Sequence, residues 1–435
     1  MANTLNAPKR IFKKFKRVAI LFAGGPAPAA NAVISAAAAS FLRSDMEVVG
    51  IRYGYTNLVN YDPASPLIEG EHFVQISHKY LARSRNTQGI LIGTSRTNPG
   101  KYIANVSDLD DPEKVIPLHN VYQALRSIGV EALISIGGDD TLKTANKLKL
   151  YQEKHVKGDQ RIRIVHLPKT IDNDYHGIDF TFGYFTAVEF LGTEIRNLIH
   201  DAESCQAYFI VELMGRSAGW LAYGAAIAGE ASLVISVEDI TDSYRTTETF
   251  TAESGEEKER TVMDIDRLVR RIVKTMLARE AEGKQFGVVA LAEGLAAMLP
   301  WRLIENVSRD DHGHIAIGQM KLADMFATLV DREYTKQTGR KRSVKATQLG
   351  YESRCAKPHA FDVMLGSQLG VGAYRALAEE QKDGVMVSVV GQLELHYEPF
   401  ESLVDPETLV TKVRLIEPNS DFHRLARFLE TDVND

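Results

Sequence analysis

The feature that most constrains this chain is a recurrence of short aliphatic runs, each separated from the next by a stretch long enough for a helix. Val18–Phe22, Val48–Tyr53, Ala132–Ile136, Ile162–Leu167, Ala207–Glu212, Leu233–Ser236, Phe286–Ala292 and Val385–Val390 are rich in Val and Ile and bounded by Gly, Pro or charge. A strand with one wet face alternates apolar and polar residues. A near-continuous apolar run is the pattern of a strand buried on both faces, as in parallel sheets. Parallel neighbours need crossovers, and segments 28–43, 118–128, 141–154, 183–201, 217–228, 262–281, 316–337 and 361–380 read as the helices that supply them. The pattern therefore predicts α/β architecture with mainly parallel sheets. Residues 241–261 break the rhythm: they are polar, Thr-rich and charged, and read as an exposed insertion or flexible hairpin.

A chain of 435 residues suits two domains. The expected division is a larger α/β domain over 1–182 plus 353–415, a smaller one over 183–352, and a C-terminal extension over 416–435. With 44% apolar and 25% charged residues the composition is that of an ordinary soluble globular protein. A net charge of -6 gives no reason to expect nucleic acid or an anionic membrane as partner. The two cysteines, Cys205 and Cys355, have no metal-ligand spacing and point to a reducing compartment. The basic lead-in Lys9, Arg10, Lys13, Lys14, Lys16, Arg17 precedes a strand and reads as a solvated segment rather than a targeting or anion-binding one, so no signal peptide is expected. The Ala-rich stretch Ala27–Leu42 is broken by Pro28, Asn31 and Ser35, and reads as a packed helix rather than a membrane span. The expectation is a cytoplasmic protein.

Ligands of open α/β sheets bind where strand-to-helix loops leave the carboxyl ends of the strands. The first such loop, Ala23-Gly24-Gly25-Pro26, offers close backbone approach and a helix start with free N–H groups, which suits a phosphate. An unliganded tight turn would use the same residues. After Ala132–Ile136 comes Gly137-Gly138-Asp139-Asp140; adjacent carboxylates call for a cation, either a divalent metal on phosphates or, if one Asp caps the helix, its N-terminus. After Ile162–Leu167 comes Pro168-Lys169-Thr170-Ile171-Asp172-Asn173-Asp174, a lysine, a hydroxyl and two carboxylates at one strand end. Kinase-type transfer needs a base for the acceptor hydroxyl, and Asp172 is placed for it, with Asp174 as an orienting group; a solvated turn is the bland alternative. Met214-Gly215-Arg216 puts an arginine at another strand end, able to clamp a phosphate or to form a surface ion pair. Gly93-Thr94-Ser95-Arg96, Glu293 after Ala292, Lys345, and Tyr351-Glu352-Ser353-Arg354 add further polar loops.

Taken in order, GGPAPAAN, GTSR, GGDD, PKTIDND, MGRSAG, AEG and YESR resemble the phosphofructokinase family from about residue 17 to 390. The resemblance implies two Rossmann-like three-layer α/β domains with the active site in the cleft between them, the larger domain on the phosphoryl-donor side and the smaller on the sugar-phosphate side. It implies Asp172 as acceptor of the sugar 1-hydroxyl proton. Thr170 and Asp174 would hold the two ends of the transfer, and Asp139 would be associated with Mg2+. Met214, Gly215, Arg216 and Glu293 would bind fructose 6-phosphate, with Tyr351 and Arg354 gripping its 6-phosphate. Gly24, Gly25 and Arg96 would meet the donor. It further suggests a homodimer or homotetramer.

Two positions bear on the donor. ATP-using relatives generally carry glycine after the GGD aspartate and often glycine before the TIDND threonine, whereas this chain has Asp140 and Lys169. A carboxylate fills the room a nucleotide's α-phosphate needs and repels it by roughly 1 kcal/mol in water and about 4 at an effective dielectric near 20. An ammonium at 169 adds a cation where pyrophosphate needs one. In the family these two residues mark pyrophosphate-dependent members, so the expected reaction is reversible, Mg-assisted phosphorylation of fructose 6-phosphate by pyrophosphate. Departures are Ala29-Ala30 in the first loop, and Ala207 and Lys345 where relatives place arginines that reach a neighbouring subunit. An ATP-dependent phosphofructokinase, a lipid or dinucleotide kinase, and a catalytically inactive regulatory subunit are the alternatives.

Overall fold

The computed structural model describes residues 4–241, 243–251, 257–305 and 320–433. In chain order the strands are β1 Arg17–Ala23, β2 Glu47–Ile51, β3 Phe73–Ile76, β4 Ala132–Gly137, β5 Arg163–Pro168, β6 Ala207–Leu213, β7 Leu233–Ile235, β8 Arg245–Thr251, β9 Glu257–Met263, β10 Gly287–Ala292, β11 Ser343–Leu349, β12 Val385–Val390 and β13 Glu394–Pro399. The helices are α1 Ala30–Leu42, α2 Ile116–Ser127, α3 Asp139–His155, α4 Tyr184–Cys205, α5 Trp220–Gly229, α6 Ile265–Ala281, α7 Trp301–Ile304, α8 Leu322–Thr338, α9 Ala360–Tyr374, α10 Phe400–Leu403 and α11 Asp421–Leu429. The chain forms two compact units, made of the described residues of Met1–Thr170, Tyr175–Phe185 and Arg354–Lys412, and of Ile171–Asp174, Thr186–Ser353 and Val413–Asp435.

The first unit is built on a seven-stranded sheet in the order β13-β12-β5-β4-β1-β2-β3. Its inner pairs are parallel, and only the edge strands β3 and β13 run antiparallel to their neighbours. Past Arg17, every residue of β1 is buried, as the uninterrupted apolar run requires. Helix α1 packs on α9. Small residues on both make the approach close: a Cβ at Gly370 would lie 2.5 Å from the Val33 carbonyl oxygen, and one at Gly366 would lie 3.0 Å from the Val33 side chain. This contact accounts for the alanine content of 27–42 without any membrane.

The second unit has a four-stranded parallel sheet in the order β11-β6-β10-β7. Phe326, Val330 and Tyr334 of α8 and Ile272, Val273 and Met276 of α6 share its buried core. The 241–261 stretch forms most of the antiparallel pair β8–β9, which runs on to Met263, past the expected helix start at 262, with Thr246 opposite Val262; residues 242 and 252–256 lie outside the described residues, as do 316–319 of the expected helix 316–337.

Several boundaries differ from the sequence expectation. The second run stops at Ile51 rather than Tyr53, because Tyr53 turns with φ +57°. The last expected helix leaves α geometry after Tyr374 and ends in a π turn over Arg375–Glu379. Strands β3, β11 and β13 have no counterpart among the expected strands. Among the described residues no helix is long and apolar enough to cross a membrane.

Candidate active site

Strand register brings the first unit's loops to a common edge. Ala23 lies opposite Gly137, and Gly137 opposite Pro168, so the chain leaves β1, β4 and β5 at one level. Gly24 has φ +89°, a left-handed conformation that glycine adopts without strain. Its N–H donates to the Ser95 carbonyl at 2.8 Å, and the Thr94 hydroxyl donates to the Gly24 carbonyl at 2.7 Å, which ties the Gly93–Arg96 loop to the Gly24 turn. Arg96 at its tip is exposed. A Cβ on Gly24 would stand 3.6 Å from Lys169 Nζ and 3.9 Å from the Gly138 nitrogen; one on Gly25 would stand 3.9 Å from Arg354 Cζ. Lys169 is buried at 8% exposure, and its N–H donates to the Gly137 carbonyl at 2.9 Å. Gly24, Gly25, Gly138, Lys169 and Arg354 thus form one small basic, glycine-walled neighbourhood.

Helix α3 starts inside this edge. Gly138 is its cap residue, and its carbonyl accepts from the N–H groups of Thr141 and Leu142 at 2.9 and 3.0 Å. Neither Asp139 nor Asp140 caps the helix: they occupy its first turn, where carboxylates favour the dipole. Both instead reach Lys143, Asp139 at 3.0 Å and Asp140 at 2.8 Å, and Asp139 also accepts from the Thr411 hydroxyl. Burial by itself would lower the Lys143 pKa, but the Asp139 and Asp140 carboxylates outweigh it and hold it above the ordinary lysine value. One turn on, Lys147 donates to the Gly100 carbonyl at 3.0 Å; burial, and then the nearby Lys143 ammonium, bring it down to about 8. Neither lysine was singled out in the sequence. Their positions three to eight residues after the Asp pair on one helix were the available signal.

Under the edge lies a buried polar chain. The Tyr175 hydroxyl donates to the Gly137 carbonyl at 3.0 Å, and His166 Nε2 lies 3.2 Å from the same hydroxyl. Burial, with the Gly137 backbone opposing and Lys169 assisting, drives the His166 pKa down to about 3, so its imidazole is neutral.

The second unit presents its own aligned strand ends. Leu213 of β6 lies opposite Ala292 of β10 on one side and Leu349 of β11 on the other. Met214, Glu293 and Gly350 therefore follow at one level, and no side chain fits at Gly350 because a Cβ there would lie 1.9 Å from Met214 Cγ. The Gly215 N–H donates to Glu293 Oε2 at 3.4 Å, and the Gly294 N–H to the Gly215 carbonyl at 3.0 Å. Burial raises the Glu293 pKa to about 7; the Asp172 and Glu212 charges add to that, against the Gly215 N–H and Arg216. Asp172, Arg216, Gly215 and Glu293 thus share one electrostatic environment within this unit. Arg216 is exposed, and Tyr351 is exposed at 67%.

The loop after β5 is divided, with Lys169 and Thr170 in the first unit and Ile171–Asp174 in the second; Tyr351 belongs to the second unit and Arg354 to the first. Asn173, between the two aspartates, is fully buried with φ +54°. Lys345 lies apart from these groups, 3.3 Å from Asp201 and above the Phe209 ring; Ala207 is buried at the start of β6. Among the described residues no cluster of three or more His, Cys, Asp or Glu could hold a metal.

The family model described as Phosphofructokinase matches residues 17–377. A Thermotoga maritima protein named pyrophosphate--fructose 6-phosphate 1-phosphotransferase is 32% identical, over 95% of this chain and 90% of its own. One of the same name from Naegleria fowleri is 30% identical, over 98% and 90%. A Bacteroides thetaiotaomicron protein named ATP-dependent 6-phosphofructokinase 3 is 28% identical, over 91% and 95%. Among solved structures, a pyrophosphate-dependent phosphofructokinase from Marinobacter aquaeolei superposes with a TM-score of 0.64 at 16% identity, covering 97% of this chain and 93% of that one, a likeness of fold.

Proposed function

The chain belongs to the phosphofructokinase family, and we propose that it transfers a phosphoryl group from inorganic pyrophosphate to the 1-hydroxyl of fructose 6-phosphate, reversibly. The observation that carries the reading is the donor neighbourhood: the buried Lys169 ammonium stands beside the Gly24 turn, in a loop edge that also bears Asp140. Two linked phosphates gain a cation there. A nucleotide would meet a carboxylate where its α-phosphate belongs. Relatives named for pyrophosphate, at 32 and 30% identity, support the same choice.

In this mechanism Asp172 accepts the hydroxyl proton and Arg216, with the Met214–Gly215 backbone, positions the sugar phosphate. Glu293 bonds a sugar hydroxyl; with its pKa raised to about 7 it is partly protonated near neutral pH and can donate as well as accept. Thr170 and Asp174 orient the two ends of the transfer. Lys169, Arg96 and the Gly24–Gly25 backbone stabilise charge on the transferred group, the main source of catalysis in phosphoryl transfer. Tyr351 and Arg354 take the 6-phosphate, and the placement of Arg354 next to Gly25 also suits it to a donor phosphate.

Asp139 and Asp140, which share Lys143, suit Mg2+, a cation that keeps most of its waters and takes one or two protein carboxylates. When bound with the donor, magnesium would neutralise phosphate charge. A homodimer or homotetramer in the cytoplasm completes the reading. The test is turnover of purified protein with fructose 6-phosphate, magnesium and either pyrophosphate or ATP; an ATP rate far above the pyrophosphate rate would refute the donor assignment.

A further inference from the structure

The C-terminal segment, outside the family-matched span, is tied to the catalytic loop of its own unit, and Arg414 carries the tie. Its backbone N–H donates to the Asp174 carbonyl at 2.8 Å, its guanidinium Nη2 donates to the Asn173 carbonyl at 2.8 Å, and its guanidinium lies over the Trp220 ring at 4.8 Å. Trp220 answers with its indole N–H, which donates to the Arg414 carbonyl at 2.9 Å. Two residues on, the Ile416 N–H donates to Glu238 Oε1 at 3.1 Å, and the same carboxylate accepts from the Gly219 N–H at 3.0 and 3.1 Å. Phe422 of α11 stacks on Trp220 with ring centroids 5.2 Å apart.

These contacts meet at two functional loops. Asn173 and Asp174 directly follow Asp172, and Gly219 and Trp220 directly follow the Met214–Ala218 turn that carries Arg216. Asn173 has φ +54°, in the left-handed region that asparagine tolerates better than most non-glycine residues but that still favours glycine, so contacts that hold its backbone bear on the loop's conformation. Arg414 supplies such contacts by donating to the carbonyls of two successive peptides, Asn173–Asp174 and Asp174–Tyr175.

We propose that Arg414 is a positioning residue for phosphoryl transfer: residues 413–416 form a strap that fixes the backbone of the Asp172 loop against the start of α5 and so sets where the base stands relative to Arg216. This deepens the function proposed above and rests on Asp172 acting as the base.

The test compares wild type, Arg414→Gln, Arg414→Lys and Trp220→Phe as full chains, with pyrophosphate and fructose 6-phosphate. Misplacement of a reacting group by about 1 Å costs on the order of 10²-fold, so Arg414→Gln should lose kcat about ten- to a hundred-fold with each KM within about threefold. Arg414→Lys, which keeps the charge, should recover part of kcat, and Trp220→Phe should lose less than Arg414→Gln. Hydrogen exchange over residues 170–175, read without substrate, should speed up in Arg414→Gln in the same rank order. A purely structural role would lower the yield or unfolding midpoint and leave kcat per folded molecule unchanged. That result, a loss confined to KM, or unchanged exchange over 170–175 would each overturn the proposal; if Arg414→Gln fails to fold, Trp220→Phe and Arg414→Lys give the same reading. Wild-type inactivity with every sugar phosphate would instead overturn the proposed function, and the exchange result would stand apart from it.

Discussion

Replacing Glu293 with glutamine should make the protein more stable, and increasingly so as the pH rises. Glutamine keeps the shape of the protonated carboxyl and removes its charge. In the folded chain, burial and then the Asp172 and Glu212 charges raise this carboxyl from 4.5 to about 7. Because the folded-state value lies above the unfolded one, its contribution to stability is complete below 4.5 and is lost as pH climbs through 7. At about 1.4 kcal/mol for every tenfold change in proton affinity between the two states, the ionised Glu293 costs the fold on the order of 3 kcal/mol. The advantage of Glu293→Gln over wild type should therefore be below about 1 kcal/mol at pH 5 and approach about 3 kcal/mol at pH 8. The assay is urea unfolding of both proteins at pH 5, 6, 7 and 8. Glu430, also raised to about 7 by burial, pushes the wild-type curve in the same direction, and His166, lowered to about 3 by burial, pushes it the other way; the difference between variants cancels both. A pH-independent difference, or a variant weaker than wild type at pH 8, would refute the reasoning.

Asp172→Ala should lose activity by about 10²- to 10⁴-fold, the usual worth of a general base, with an unchanged circular dichroism spectrum; near-normal turnover would remove Asp172 from that role. Asp140→Gly combined with Lys169→Gly should shift the ATP-to-pyrophosphate ratio of kcat/KM towards ATP by about ten- to a thousand-fold, at roughly 1.4 kcal/mol per ten-fold. Gly137→Ala should cost about 1–3 kcal/mol in unfolding free energy, because the added Cβ would lie 2.3–2.6 Å from three atoms of Thr141.

The central strands were legible because burial on both faces leaves a near-continuous apolar run, as in Val18–Phe22 and, with only Ser135 interrupting, Ala132–Ile136. Of the edge strands, β7 carries the same mark, but β3, β11 and β13 do not. In β11, Ser343–Leu349, no residue is fully buried, and β13 alternates exposed with part-buried positions and ends in Pro399. Both were invisible to a search for continuous apolar runs. The loops of the candidate site were legible because glycine, carboxylate and lysine at a strand end violate the composition of a core. Lys143 and Lys147 were not, since a lysine inside a helix looks like a solvated face until the fold buries it against its neighbours. Arg414 was least legible: nothing in its local sequence says that its partners lie about 240 residues earlier, at Asn173.

The tight seam between α1 and α9 has a further bearing on the donor. Helix α1 starts at Ala30, a few residues after the glycine turn; its backbone rests against α9 at Gly370, and the Val33 side chain packs onto Gly366. Widening the turn for a larger donor would mean shifting a pair of helices rather than rotating one rotamer. On the proposed reading, the choice of donor would rest on this close-packed wall as well as on the charges mounted on it.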